Sequence, residues 1–153
     1  MRRALTAFAA FALATAGVVV AAPTASAGGY GCTGNLVGSF SDKHNGTVWG
    51  TLYVYYDSST GDNCAVNVAN SAGYYGTSTI KNVVISECSQ TSPGPVCDEI
   101  GTPQEDNKNY YDYAGPVRVH APGHCIYAAG DLFDPGVTTY AEVQTSPQAA
   151  FCG

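Results

Sequence analysis

The side chains able to do chemistry in this 153-residue chain are three histidines, six cysteines, twelve carboxylates and eleven tyrosines. Nucleophilic catalysis needs a Ser or Cys beside a base that a third group orients. Serines are plentiful, yet none occupies the Gly-x-Ser-x-Gly turn that lifts a nucleophile above a sheet. His44 stands in Asp42-Lys43-His44-Asn45-Gly46, which reads as a solvated turn. His120 alternates outward on a short strand, and His124 falls in the turn after it. No catalytic residue is therefore assigned. His120 and His124 have the spacing of a helical metal pair, but Pro122 and Gly123 between them rule out the helix. Paired carboxylates in a cleft serve glycoside hydrolysis. Here the adjacent pairs Asp98-Glu99 and Glu105-Asp106 lie in a Pro- and Asn-containing stretch and read as a solvated face. The alternating Asp pattern of a calcium loop is missing. No metal and no cofactor is expected.

The cysteines are at 32, 64, 88, 97, 125 and 152. No two stand two to four residues apart, the spacing a zinc knuckle requires. An even number in an exported chain of this size points to three disulfides in an oxidising compartment. Six cysteines admit fifteen pairings. Cys88 and Cys97 bracket a short segment with Pro93, Gly94 and Pro95, which suits a local bridge. Of the three pairings open to the other four, the one that gives each half of the domain its own clasp joins Cys32 to Cys64 and Cys125 to Cys152, and this is the pairing expected. With all six joined, no thiol is left for catalysis.

Aromatics form the other notable set. Trp49, Tyr53 and Tyr55 alternate along one predicted strand and should share a face, and Tyr110, Tyr111 and Tyr113 cluster later. Exposed, the first three would be a platform for a sugar ring or a protein partner. Buried, they are simply core, and this is the favoured reading of the two.

Elements must position all of these groups. The chain opens Met1-Arg2-Arg3, runs uncharged from Ala4 to Ala22, and reaches Ala25-Ser26-Ala27, an A-x-A cleavage site. Residues 1–27 thus read as a secretory signal, and 28–153 as one domain. Cleavage leaves 126 residues and removes Arg2 and Arg3, two of six cations. Four cations then face twelve acids, a net charge of −8. Such a surface repels nucleic acid and anionic lipid, so neither is an expected partner.

Strand signals dominate the mature part: Thr47–Tyr56 and Asn63–Ala69 around the turn Asp57–Asp62, a hairpin, with Val48, Leu52, Val54 and Tyr56 on one face of the first. Weaker strands are expected at Ser78–Ser86, Pro116–His120, Cys125–Ala128 and Val137–Val143, with the third joined to the second as another hairpin. Between Glu87 and Lys108 the pattern lapses, and the stretch reads as a surface insertion. The expected fold is all-β, a small antiparallel sandwich or barrel stapled by three disulfides.

Two segments carry a resemblance. They are Gly50-Thr51-Leu52-Tyr53-Val54-Tyr55-Tyr56-Asp57-Ser58-Ser59-Thr60-Gly61-Asp62-Asn63-Cys64 and the run Asn109 to Cys125, with its string Tyr113-Ala114-Gly115-Pro116-Val117. Together with Gly31-Cys32 and the terminal Phe151-Cys152-Gly153, the chain resembles the spore-associated protein A family, small exported proteins of filamentous actinomycetes. The resemblance makes Cys32, Cys64, Cys125 and Cys152 the shared cysteines and places Cys88 and Cys97 in an insertion. It implies secretion and a location at the spore or cell surface, and it transfers no catalytic residue. The expected function is a secreted, non-enzymatic, spore- or envelope-associated protein whose partner is a surface polymer or protein. Two other readings are a carbohydrate-binding module using Trp49, Tyr53 and Tyr55, and a secreted hydrolase or a protease inhibitor presenting the Cys88–Cys97 loop.

Overall fold

The computed structural model describes residues 28–153, so the signal segment expected at 1–27 lies outside the described residues. Eight antiparallel strands follow one another: β1 (Asn35–His44), β2 (Thr47–Asp57), β3 (Asp62–Ala69), β4 (Thr79–Cys88), β5 (Glu99–Tyr110), β6 (Tyr113–His120), β7 (Ile126–Phe133) and β8 (Tyr140–Gln144). They form one sheet in the order β5-β4-β7-β8-β1-β2-β3-β6, curled into a nearly closed barrel. Of the two expected architectures, the barrel is the one adopted.

Closure of the barrel follows from alternation. Inward-facing Leu52 and Val54 of β2, Ala65 of β3, Val83 and Ile85 of β4, and Ile126 and Ala128 of β7 fill the interior, each with no solvent exposure. The edges β5 and β6 meet through a side chain. Asp106 on β5 accepts hydrogen bonds from the Gly115 backbone N–H of β6 at 2.8 Å and from the Tyr110 hydroxyl at 2.7 Å. This carboxylate, read from the sequence as part of a solvated pair, substitutes for ladder bonds between the two edge strands of the sheet.

The three disulfides are Cys32–Cys64, Cys88–Cys97 and Cys125–Cys152. The first pins the N-terminal turn onto the outside of β3. The third pins the returning C-terminal segment, whose Ala150 bridges to Ile126 and whose Phe151 ring packs edge-on against Phe40, 6.1 Å between centroids. Phe151 closes that end of the barrel between β1 and β7.

The expected hairpin of β2 and β3 forms, with Tyr53 opposite Val66 and Tyr55 opposite Cys64. Three expectations need correction. The segment 87–108 is irregular only at its start, because residues from Glu99 on form β5, paired along most of β4. Its side chains are exposed on both sides, so no alternation betrays the strand. The second expected hairpin does not exist: β6 pairs with β3, and β7 pairs with β4 and β8, so the turn at 121–125 is a crossing between distant parts of the sheet. Finally, Asp42–Gly46 is not wholly a solvated turn. Asp42 lies inside β1, and only Asn45-Gly46, at φ 47° and 82°, makes the two-residue turn into β2.

Candidate functional site

Trp49, Tyr53 and Tyr55 do not share one face. The pairing of β1 with β2 slips by a residue, from Asp42 opposite Gly50 to Lys43 opposite Val48, and this bulge at Trp49 breaks the alternation. Trp49, 8% exposed, turns into a cluster with Ala69, Leu132 and Ala141 at one end of the barrel, under Tyr74. The 70–77 turn covers it, Asn70 donating to the Val48 carbonyl at 2.8 Å. Tyr55, 6% exposed, lies outside the barrel wall beneath the N-terminal turn, with Cys32, Cys64 and Val66. Burial pushes its hydroxyl pKa up, with Tyr30 and Tyr53 adding to the shift. Of the three, Tyr53 keeps partial exposure, in company the sequence did not suggest. Tyr30 stacks on it at 5.8 Å and meets Tyr113 of β6 edge-on at 5.3 Å. Tyr30 is held there at φ 54°, between the Cys32–Cys64 bridge and the bond from the Arg118 guanidinium to the Gly31 carbonyl.

The histidines pair locally. The His44 ring lies 2.8 Å from the Tyr140 carbonyl, His120 lies 3.1 Å from Asp62, and His124 lies 2.7 Å from Glu87. They are on separate parts of the sheet and form no common centre. Among the described residues, no group of three or more His, Cys, Asp or Glu is placed to hold a metal ion.

Two ionisable groups are buried without a local sequence signal for it. Lys81 is on the inward face of β4, in the alternation Thr79, Lys81, Val83, Ile85, and has no exposure. Its ammonium donates to the Thr79 hydroxyl at 2.7 Å, the Tyr110 carbonyl at 2.9 Å and the Thr77 carbonyl at 3.3 Å. It ties the 70–77 turn to the end of β5. Burial lowers its pKa, and Asp112 opposes that effect. Asp42 is equally buried and accepts from the Asn67 amide at 3.0 Å, while its other oxygen has no hydrogen-bond partner among the described residues. Asn67 reaches it across the barrel because β7 has Gly130 there; a Cβ at 130 would stand 2.5 Å from the Asn67 amide nitrogen. Burial drives the Asp42 pKa to about 7; the Asn67 bond pulls it down, and Asp131 and Glu142 push it up.

Those two carboxylates point to a concavity on the barrel wall. β8 is only five residues long, and it meets β1 through the single pair Lys43 opposite Glu142. Beside that pair the seam splays open into a groove of about 860 Å³ between β1 and β7–β8. Asp131 and Glu142, directly opposed across β7 and β8, stand on its polar wall with Lys43, Ser39 and Ser41. Gln144 accepts from the Tyr127 hydroxyl at 3.1 Å on the same wall. Phe40, Ala129 and Val143 supply the apolar part. Burial raises the Asp131 pKa, with Glu142 adding to the rise. The Asn45-Gly46 hairpin signal would have located β1 from sequence; the groove depends on how short β8 is, which no local pattern states.

The chain is similar to the spore-associated protein A of Streptomyces coelicolor (strain ATCC BAA-471 / A3(2) / M145). The two are 33% identical over 124 residues, covering 75% of this chain and 70% of that protein. No family model matches, and no solved structure matches significantly.

Proposed function

This chain belongs to the spore-associated protein A family, and from that premise we propose that it is exported and acts at the spore or cell envelope by binding, without catalysis. The relative's name carries the reading. Two features support it. The three disulfides suit an oxidising, extracellular setting. The surface offers a tyrosine cluster and a polar groove, features of a protein that makes contacts. The partner is a polymer or protein of the envelope.

Fractionation of sporulating cultures tests the proposal. The protein should be found with spores or washed envelopes and should be released by reductant or detergent; recovery from the cytoplasm of vegetative cells alone would refute it. A carbohydrate-binding reading is also favoured by one observation, the Tyr30, Tyr53 and Tyr113 cluster, which replaces the Trp49, Tyr53 and Tyr55 face expected from sequence.

A further inference from the structure

We infer that the groove at the β1–β8 seam is a binding site for an uncharged polysaccharide segment, held by Asp131, Glu142 and Gln144 over Phe40 and Val143. This names a ligand class for the envelope-binding reading and rests on that reading only for where the ligand is met.

The lining chemistry separates the ligand classes. A metal ion needs a set of converging donors, and among the described residues none is assembled. A phosphate or other anion would face Asp131 and Glu142 side by side. An organic cation would suit those two acids but would also meet Lys43, paired in register with Glu142. Sugar hydroxyls both donate and accept. They match a wall on which Asp131 and Glu142 accept, Lys43 donates, and Ser39, Ser41 and Gln144 do either. The carbon face of a pyranose ring is apolar, and Phe40 with Val143 offers it a matching floor. A volume of about 860 Å³ falls in the usual range for ligand sites.

One further observation points to a ligand in the groove. Like charges directly opposite on adjacent strands are unfavourable, yet Asp131 and Glu142 stand so, and among the described residues neither side chain makes a hydrogen bond or ion pair. An uncharged hydroxyl donor between Asp131 and Glu142 would satisfy both.

The test is affinity electrophoresis of the purified, disulfide-intact protein through gels containing dextran, laminarin or hydroxyethylcellulose, with polygalacturonate as the charged control. Retardation is expected in at least one uncharged polymer. It should weaken at least tenfold in Glu142→Ala and Gln144→Ala, both exposed positions whose variants should melt no lower than the parent, and should persist in Tyr30→Ala. The inference is overturned by no retardation in any uncharged polymer, by retardation in polygalacturonate alone, or by loss in Tyr30→Ala with the groove variants unaffected. A protein that fractionates with envelopes but is not retarded defeats the groove inference and leaves the envelope reading standing. One that is retarded but never found at the envelope defeats the reading and leaves the groove.

Discussion

Burial moves the Asp42 carboxyl from its ordinary 3.8 to about 7, and a sign follows. Between about pH 4 and 7 the folded chain keeps a proton that the unfolded chain has released, so stability falls as pH rises through that window. The contribution is complete below about pH 4 and lost above about 7, and at ~1.4 kcal/mol per unit it amounts to about 4 kcal/mol at most. Asp131, raised for the same reason, acts in the same direction. Asp42→Asn keeps a polar partner for Asn67 and removes the charge. It should flatten the slope and stabilise the protein at pH 8 by about 2–4 kcal/mol in urea titrations. Parallel pH profiles for parent and variant would refute this assignment. Trp49 supports an independent expectation. Its indole should emit as a water-excluded fluorophore, and Trp49→Ala should cost about 3–5 kcal/mol. An emission maximum typical of indole in water, or a loss below about 1 kcal/mol, would place the ring outside the core.

At the scale of elements, stability depends on what stands in for missing strand pairing. At the β5–β6 gap the stand-in is Asp106. Asp106→Ala leaves the Gly115 N–H and the Tyr110 hydroxyl unpaired, at a cost of about 1–3 kcal/mol. Faster amide exchange should appear in β5 before β2 or β3, and uniform protection across the sheet would contradict this role. The disulfides differ in the loops they close. Sequence separations of 32, 27 and 9 give chain-entropy contributions of about 3.7, 3.6 and 2.6 kcal/mol for Cys32–Cys64, Cys125–Cys152 and Cys88–Cys97. Among paired Cys→Ala variants, loss of Cys88–Cys97 should cost least in chemical denaturation. The Cys125–Cys152 variant should lose more than its loop length dictates, because it also frees Phe151 from the barrel end.

Across the whole molecule, most contacts join distant parts of the chain. β3 is bound to β6 and β7 to β4, so no hairpin completes the barrel alone. Such topology makes loop closure the dominant cost of folding, and the crosslinks act on that cost. Full reduction should therefore lower the thermal midpoint by well over about 10 °C, read by circular dichroism with and without a thiol reductant. An unchanged midpoint would mean that the barrel core suffices. The excess of acids over bases is structural as well as colloidal: Asp42, Asp131 and Glu142 gather around one seam, where net negative charge works against closure.

Local chemistry in the sequence was enough to indicate the all-β class, the joining of all six cysteines with a local Cys88–Cys97 bridge, and the hairpin of β2 and β3, while the two long-range pairings were settled by the fold. Cysteine spacing, turn residues and period-two alternation act over short distances and survive any tertiary arrangement. Tertiary structure alone decided the rest. One bulge sent Trp49 away from Tyr53 and Tyr55, because a single extra residue reverses the facing of a strand. β5 was unreadable because both its sides meet water, and β6 and β7 took distant partners because ladder pairing carries no sequence address. The buried charges of Asp42 and Lys81 and the splayed β1–β8 seam exist only once the barrel curls, since burial and concavity are properties of packed elements and not of any one of them.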